Sequence, residues 1–367
     1  MTYAPGKAGV GAGTRVKAWT LSQDQLRQDS MDFLGSEEYQ RVVVEDQEVV
    51  RNPRGAMTPH VTRDGHIALL YYNNGQTARV GYTGRLLVWL TLGKVEEGEV
   101  RWSQPELVLW WDGVQLGDRE DWNEDWAIVD GAGYHDIQEL EDGNLAFVES
   151  NKLTVRYHEI SADLVDGLRG QLAGRSASPG DQDLVVSREE GGPCRAPVLP
   201  DLRAGGGFTL VCWIDFGKFL SSPSEGILVN GMSTASGALD EEAAEDITKG
   251  YQIVKNKDDI VTLHLTDGFS NSFNFSLAGL KEKYIAPSGL AMVAFILDGG
   301  PKVASAVINH RLYNMAPCGW RFLPREFGEI GGSDVEVVDT KVVARFMVVE
   351  RALTTSQAIQ LFRSHSK

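Results

Sequence analysis

Thr62-Arg-Asp-Gly-His-Ile-Ala-Leu-Leu-Tyr-Tyr-Asn-Asn74 places an Asp-Gly pair directly before a run of apolar residues. Asp-Gly favours a tight turn because glycine tolerates positive φ, and the apolar run that follows is typical of a buried β-strand. The same order recurs in Leu140-Glu-Asp-Gly-Asn-Leu-Ala-Phe-Val-Glu-Ser-Asn-Lys152, with the two Asp-Gly pairs 78 residues apart. The repetition predicts two related β-hairpins.

Other strand-like runs surround these two hairpins. They are Arg85–Leu90, Glu99–Trp102, Leu107–Trp111 and Leu153–Ile160. Short aromatic or β-branched runs between turn residues are typical of an all-β region, and repeated hairpin units are typical of β-propeller blades. The period changes to that of a helix over Ser161–Leu172, and the Gly-, Ser- and Pro-rich segment Ala173–Pro200 predicts a linker.

A second β-rich region begins at Gly205. Its strand-like runs are Phe208–Ile214, Gly226–Val229, Tyr251–Val254, Ile260–Leu265, Ser272–Phe275, Ala291–Ile296, Val303–Ile308 and Lys341–Val349. So many short strands with turns between them predict a β-sandwich or jelly roll. The acidic segment Ser233–Lys249 predicts a loop, and Thr354-x-x-Gln357 resembles a capping box that begins a last helix.

Charge and cysteine content exclude several classes of function. The chain has 367 residues and a net charge of −16, from 35 Lys and Arg against 51 Asp and Glu. This balance argues against nucleic acids and anionic membranes as main partners, because both require surplus Lys and Arg. The three widely spaced cysteines predict neither a disulfide framework nor a structural zinc site. No signal peptide and no membrane span is visible, so we expect a soluble chain.

Three passages of the first region resemble the later blades of sialidase-like β-propellers. They are Asn52–Asn74, Gly84–Leu109, which contains Trp-Ser-Gln-Pro-Glu, and Gly133–Ser150. The second region resembles the laminin-G-like, concanavalin A-like jelly roll at Gly206–Ile214, Phe295–Val303 and Arg351–Arg363. The resemblance implies an all-β chain in four parts: an N-terminal segment at 1–48, propeller blades at 49–162, a helix and linker at 163–204, and a β-sandwich at 205–367.

The part that resembles a propeller is too short for a complete one. A six-bladed propeller of this kind is longer than the whole region that precedes the linker. Three explanations stay open: the N-terminal segment has an unfamiliar role, the chain is a fragment of a longer protein, or two chains complete one another as a homodimer or larger assembly.

The resemblance implies four catalytic residues. Tyr134, in Gly-Tyr-His-Asp, matches the position of the sialidase nucleophile. A neutral phenol approaches an anionic sugar without charge repulsion when a carboxylate takes its proton, and Glu106 is the candidate for that base. Arg54 and Arg85 are candidate clamps for a substrate carboxylate, since a guanidinium binds a planar carboxylate through two parallel hydrogen bonds.

Four more residues are candidates for substrate contact. Trp110 and Trp111 offer flat faces that stack on sugar rings. His135 follows the candidate nucleophile, and Glu149 ends the next strand, where it is also a second choice of base. Each of these candidates has a structural alternative, as a core aromatic residue, a buried packing group or a solvated charge.

Three functions remain compatible with the sequence. The chain is an exo-glycosidase of the sialidase superfamily, a non-catalytic glycan-binding protein, or a structural subunit of a larger assembly. The first two share a carbohydrate ligand. No metal or cofactor is predicted, because the acidic segment at 112–125 lacks EF-hand spacing and Gly6–Gly13 lacks the ending of a phosphate-binding loop.

Overall fold

The chain forms two compact units. The computed structural model describes residues 57–73, 87–97, 99–110, 134–150, 155–176, 184–188, 194–195, 199–222, 225–236, 246–268, 271–284, 289–314, 319–324, 326–328, 330–331 and 334–365. Within these residues the first unit ends at Arg175 and the second begins at Ser176.

The first unit contains eight strands and one helix within its described residues. They are β1 (Thr58–Val61), β2 (His66–Tyr71), β3 (Leu87–Glu96), β4 (Glu99–Trp102), β5 (Glu106–Trp110), β6 (Tyr134–Glu139), β7 (Leu145–Ser150), β8 (Val155–Glu159) and α1 (Ala162–Leu172). One sheet has the strand order β1-β2-β3-β4, with β5 also paired to β3, and the other has the order β6-β7-β8. The pairing throughout both sheets is antiparallel.

The two Asp-Gly pairs fold as the same turn. Gly65 and Gly143 have φ angles of +84° and +86°, a conformation that glycine adopts without steric cost. The N–H of Gly65 donates to the carbonyl of Thr62 at 2.9 Å, and the N–H of Gly143 donates to the carbonyl of Leu140 at 3.0 Å. The hairpin repeat in the sequence is therefore present in the structure.

The two hairpins share a register but bury opposite faces. Thr58 pairs with Leu70, and 78 residues later Asp136 pairs with Val148. Leu70 is buried in the core that both sheets share, whereas Val148 is 41% exposed. From β7 it is the adjacent Phe147 that enters this core. The two sheets therefore pack head to tail: the face that the first sheet turns to the shared core is equivalent, by the 78-residue repeat, to the face that the second sheet turns outward.

Helix α1 completes the core of the first unit. Val165, Leu168 and Leu172 pack against residues of both sheets. Gln171 binds both backbone groups of Gln104, accepting from its N–H at 2.7 Å and donating to its carbonyl at 3.0 Å. The helix is thus an integral part of the first unit, although the sequence placed it with the linker.

The second unit contains thirteen strands and three helices within its described residues. They are β9 (Leu184–Arg188), β10 (Cys194–Arg195), β11 (Gly207–Asp215), α2 (Phe216–Ser221), β12 (Gly226–Ser236), β13 (Asp246–Lys255), β14 (Val261–Asp267), β15 (Ser272–Leu277), α3 (Leu280–Lys283), β16 (Leu290–Asp298), β17 (Val303–Ile308), β18 (Arg311–Leu312), β19 (Trp320–Phe322), β20 (Asp334–Val337), β21 (Val343–Val349) and α4 (Thr355–His365).

The strands of the second unit form two sheets around one core. A six-stranded sheet has the order β10-β20-β12-β13-β14-β15, and a seven-stranded sheet has the order β18-β17-β16-β11-β21-β9, with β19 also paired to β17. The ring centroids of Phe275 and Phe295 lie 6.2 Å apart across the two sheets, and those of Tyr251 and Phe346 lie 6.3 Å apart. This β-sandwich and the antiparallel sheets of the first unit confirm the predicted all-β fold class.

Helix α4 lies over the outer face of the seven-stranded sheet. The ring of His365 lies 5.2 Å from that of Trp213 on β11. The hydroxyl of Thr209 donates to the carbonyl of Arg351 at 3.0 Å and accepts from the N–H of Leu353 at 2.9 Å. These contacts tie the segment that leads into the helix to the sheet.

Two local predictions have different outcomes. The capping box is present, since the N–H of Thr354 donates to the side chain of Gln357 at 3.0 Å and the N–H of Gln357 donates to the Thr354 hydroxyl at 3.2 Å. The segment Ser233–Lys249 is not one loop, because β12 continues to Ser236 and β13 begins at Asp246. Pairing across this hairpin outweighs the weak strand propensity of its small and polar residues.

Candidate functional site: a polar row across the six-stranded sheet

Strands β13, β14 and β15 alternate buried apolar residues with polar residues that are more exposed. Side chains of a strand point to opposite faces in turn, so the apolar residues enter the sandwich core and the polar ones form the outer face. The turn between β13 and β14 fixes their register. The side-chain oxygen of Asn256 accepts the N–H groups of Asp258 and Ile260, each at 2.9 Å, and Asp259 has φ of +56°.

This register aligns one polar side chain from each of five neighbouring strands. The order across the sheet is Glu336 (β20), Asn230 (β12), Gln252 (β13), His264 (β14) and Asn274 (β15). We call these five residues the polar row. Neighbouring strands lie about 4.8 Å apart, so the row extends over roughly 19 Å.

Two hydrogen bonds link neighbours within the polar row. Gln252 Nε2 donates to Asn230 Oδ1 at 2.9 Å, and the N–H of Met232 donates to the same oxygen at 3.3 Å. His264 Nδ1 lies 2.5 Å from Asn274 Oδ1, and because an amide oxygen only accepts, the imidazole is the donor. The amide N–H groups of Asn230 and Asn274, the Gln252 carbonyl and His264 Nε2 have no partner among the described residues.

The rows on either side of the polar row carry hydroxyl groups. Thr262 and Ser276 lie opposite one another, with their oxygens 2.9 Å apart. On the other side Thr266 pairs with Ser272. The outer face of β14 and β15 is therefore polar and uncharged over three adjacent rows, while β13 contributes Val254 and Gly250 to the two flanking rows.

By register, the charged positions of this face lie at its β10–β20 end and at Asp246, which begins β13. Among the described residues, the acidic side chains are those of Asp334 and Glu336, both exposed on β20. The basic position in register on the described strands is Arg195 of β10, directly opposite Asp334. Lys249 and Lys255 of β13 occupy the same phase as the core residue Tyr251 and so belong to the inner face.

In the first unit, two predicted substrate contacts form a buried pair. His135 on β6 lies directly opposite Glu149 on β7, and the two are 5% and 0% exposed. His135 Nδ1 lies 3.0 Å from the hydroxyl of Thr58, and its ring centroid lies 5.6 Å from that of Tyr72. Burial lowers the pKa of His135 to about 4, so its imidazole is neutral at physiological pH.

The structure separates the predicted nucleophile from this pair. Tyr134 is 75% exposed on the outer face of its sheet. Its neighbour His135 points to the opposite side because adjacent strand residues alternate, and Glu149 lies on that side too. Glu106 begins β5 opposite Leu90 and is 2% exposed. Tyr134 and Glu106 therefore occupy an exposed and a buried environment respectively.

The remaining predicted residues fall at the limits of the described chain. Arg54, Arg85 and Trp111 lie outside the described residues. Trp110 ends β5, but its side chain lies outside the described part. Within the described ranges there is no group of three or more His, Cys, Asp or Glu side chains that could hold a metal ion. The described helices also include none with the length and apolar character needed to cross a bilayer.

Sequence reasoning did not single out the polar row. Each of its residues is an ordinary outward-facing member of an alternating strand. The alternation within Tyr251–Lys255, Val261–Asp267 and Ser272–Leu277 was a usable signal for the outer face. The register across five strands could not be predicted from the sequence, because it depends on pairing between segments that are far apart in the chain, such as β12 and β20.

Comparison with known proteins gives distant structural similarity. No protein-family model and no curated protein matches the chain. The binding domain of botulinum neurotoxin serotype D aligns with a TM-score of 0.33 and 10% identity, covering 48% of this chain and 41% of that one. The same ligand-binding domain in complex with N-acetylneuraminic acid gives a TM-score of 0.33 and 10% identity, covering 49% and 46%. The CBM40 of Ruminococcus gnavus IT-sialidase bound to α2,6-sialyllactose gives 0.31 and 13%, covering 49% and 99%. The chain therefore spans less than half the length of the neurotoxin domains that it matches.

Proposed function

We propose that this chain is a carbohydrate-binding protein and that the polar row is its glycan-contacting surface. The observation that carries the proposal is the in-register line of Glu336, Asn230, Gln252, His264 and Asn274. Sugar hydroxyls both donate and accept hydrogen bonds, as do planar amide and imidazole groups. A line of such groups on one sheet face suits a ligand that presents hydroxyls along its length.

Preorganisation of the row supports the proposal. The bond from Gln252 to Asn230 and the bond from His264 to Asn274 hold four of the five side chains before any ligand arrives. Side chains that are already ordered lose less entropy on binding, so more of each hydrogen bond contributes to affinity. The length of roughly 19 Å favours an extended oligosaccharide over a single sugar ring.

Calorimetric titration of the full chain with a panel of oligosaccharides tests this proposal. We expect saturable binding of at least one member, weakened about tenfold in Gln252→Ala and in Asn274→Ala, since each loses contacts worth about 1.4 kcal/mol. Ser272→Ala, on the same face but outside the polar row, is the matched control and retains the affinity. Absence of binding to every oligosaccharide, or binding that both row variants leave unchanged, contradicts the proposal.

Glycoside hydrolysis is the second candidate function. The observation that favours it is the buried His135–Glu149 pair, in which His135 Nε2 has no hydrogen-bond partner among the described residues. Release of aglycone from aryl glycosides, sialosides included, is the measurement. Release lost in Tyr134→Phe supports the tyrosine nucleophile. Release lost only in Glu149→Gln assigns the chemistry to the buried pair, and no release from any sugar contradicts hydrolysis by this chain.

A homodimer or larger assembly remains a proposal about partners. Four apolar or aromatic residues are exposed on the outer face of the β6–β8 sheet: Tyr134, Val148, Val155 and Tyr157. Exposed groups of this kind favour association. Light scattering coupled to size exclusion distinguishes a 40.3 kDa monomer from a species of twice that mass.

A further inference from the structure

We infer that the polar row takes a neutral saccharide and discriminates against acidic ones. The inference rests on the proposed function and names the substrate class for that site. It follows from two properties of the outer face of the six-stranded sheet, the kinds of hydrogen-bonding groups that its residues present and the sign of the charges around them.

The first property is the mixture of donors and acceptors in the polar row. After the internal bonds are made, Asn230 and Asn274 present amide donors, Gln252 presents its carbonyl and its second N–H, and Glu336 presents acceptors. Donors and acceptors are thus both present along the row. A sugar hydroxyl satisfies either type because it has a donor and two acceptor positions.

An acidic group matches this mixture poorly. A carboxylate or sulfate only accepts, so beside the Gln252 carbonyl or the Glu336 carboxylate it faces another acceptor. A polar group that loses water without gaining a partner costs free energy. Desolvation therefore favours a neutral ligand over an acidic group beside Gln252 and beside Glu336.

The second property is the charge distribution. Proteins hold carboxylates and sulfates with Arg or Lys, most strongly through the two parallel hydrogen bonds that a guanidinium offers. The described strands place one basic residue in register on this face, Arg195, at the backbone position that pairs with Asp334. Glu336 adds a second exposed carboxylate within the row itself. The face is therefore net acidic, as is the whole chain at −16.

Matched pairs of neutral and acidic oligosaccharides test the inference on the full chain. The probes are lactose against sialyllactose, and β-1,4-linked glucose tetramers against galacturonic acid tetramers, titrated at 50 and 500 mM salt. We expect the neutral member of a pair to bind at least about tenfold more tightly. Salt screens interactions between charges, and a neutral saccharide carries none. Its affinity should therefore be the same at both salt concentrations.

Three variants locate the discrimination. Gln252→Ala should lower the affinity for the neutral saccharide about tenfold. Glu336→Gln should reduce the difference in affinity between the neutral and the acidic member of a pair. Arg195→Gln should leave the affinity for the neutral saccharide unchanged. Thermal unfolding of each variant verifies that the fold is intact, and Asn274→Ala replaces any variant that is not folded.

The outcomes separate the inference from the function on which it rests. Tighter, salt-sensitive binding of the acidic member that is lost in Arg195→Gln overturns the inference and leaves carbohydrate binding in place. Equal affinity for both members of each pair also overturns it. No binding to any member overturns the proposed function and the inference together.

Discussion

The buried imidazole of His135 should make the first unit sensitive to acid. Its ring is 5% exposed, and burial lowers its pKa from 6.5 to about 4. In the unfolded chain the group takes up a proton below pH 6.5, whereas in the folded chain it remains neutral down to about pH 4. The stabilising contribution is therefore complete above pH 6.5, declines as the pH falls, and is fully lost near pH 4.

The magnitude follows from the difference between the two pKa values. A lowering from 6.5 to about 4 corresponds to about 3 kcal/mol in total, and about 2 kcal/mol of this is lost between pH 7 and pH 4.5. The hydroxyl of Thr58 donates its hydrogen to the carbonyl of His135 at 2.7 Å. Its oxygen can therefore only accept from His135 Nδ1, 3.0 Å away, so the proton of the neutral ring is on Nδ1 and Nε2 carries none. A proton on Nε2 would have no acceptor among the described residues.

Two assays measure this effect independently. The His135 Cε1 proton resonance should titrate with a midpoint near pH 4. Hydrogen exchange of peptides covering β6 and β7 should accelerate in the wild type between pH 7 and 4.5, after correction for intrinsic rates, and less so in His135→Gln. Peptides covering β13 and β14 in the same samples serve as the internal reference.

A midpoint above pH 6 would refute this reasoning. It would mean that Glu149, which lies directly opposite His135 on β7, holds the imidazolium as an ion pair strongly enough to overcome the cost of burial. If the midpoint exceeded 6.5, stability would rise on acidification through the midpoint, and His135→Gln would remove the rise.

Three further predictions concern the stability of both units, each measured by urea unfolding. Lys255→Ala should cost about 2–5 kcal/mol, because the side chain is 3% exposed and its removal leaves a cavity, while Lys255→Met, which refills most of that volume, should cost less; equal losses would contradict this account. Gly250→Ala should cost more than about 2 kcal/mol, since φ is +134° and an added Cβ would lie 2.1 Å from the Gly231 carbonyl oxygen, whereas Gly226→Ala, with open space around it, should be far milder; similar losses would refute the steric argument. Gln171→Ala should cost about 2 kcal/mol by releasing two backbone groups of the Trp-Ser-Gln-Pro-Glu segment, and an unchanged midpoint would show that water replaces both bonds.

Local chemistry in the sequence was sufficient to predict the longer strands, the Asp-Gly turns and the Thr354–Gln357 cap, but not β9 and β10, which lie inside the predicted linker Ala173–Pro200. The Asp-Gly pairs, the period-two runs and the Thr354–Gln357 box each depend on residues within a few positions of one another, and each is present as predicted. The Ser233–Lys249 segment was predicted wrongly because its strand ends are stabilised by pairing with one another, which composition does not reveal.

The candidate site shows where sequence reasoning stops and where it could have gone further. Strand alternation alone places Tyr134 and His135 on opposite faces, so the sequence already argued against one site that holds both. The short turn of the second hairpin also predicts that His135 lies opposite Glu149. The polar row could not be predicted, because Asn230 and Glu336 are neighbours only through a pairing that spans more than 100 residues.

The head-to-tail packing of the two hairpin sheets has a consequence for how such a chain can change in length. If the two sheets packed through equivalent faces, both copies of that face would be used up in the one contact, and no third sheet could pack in the same way. Here the outer face of the β6–β8 sheet carries Val148 and Tyr157, in register with one another, where the first sheet buries Leu70 and Leu90. A tandem duplication of one hairpin unit would therefore add a sheet to this face without disturbing the contact that already exists.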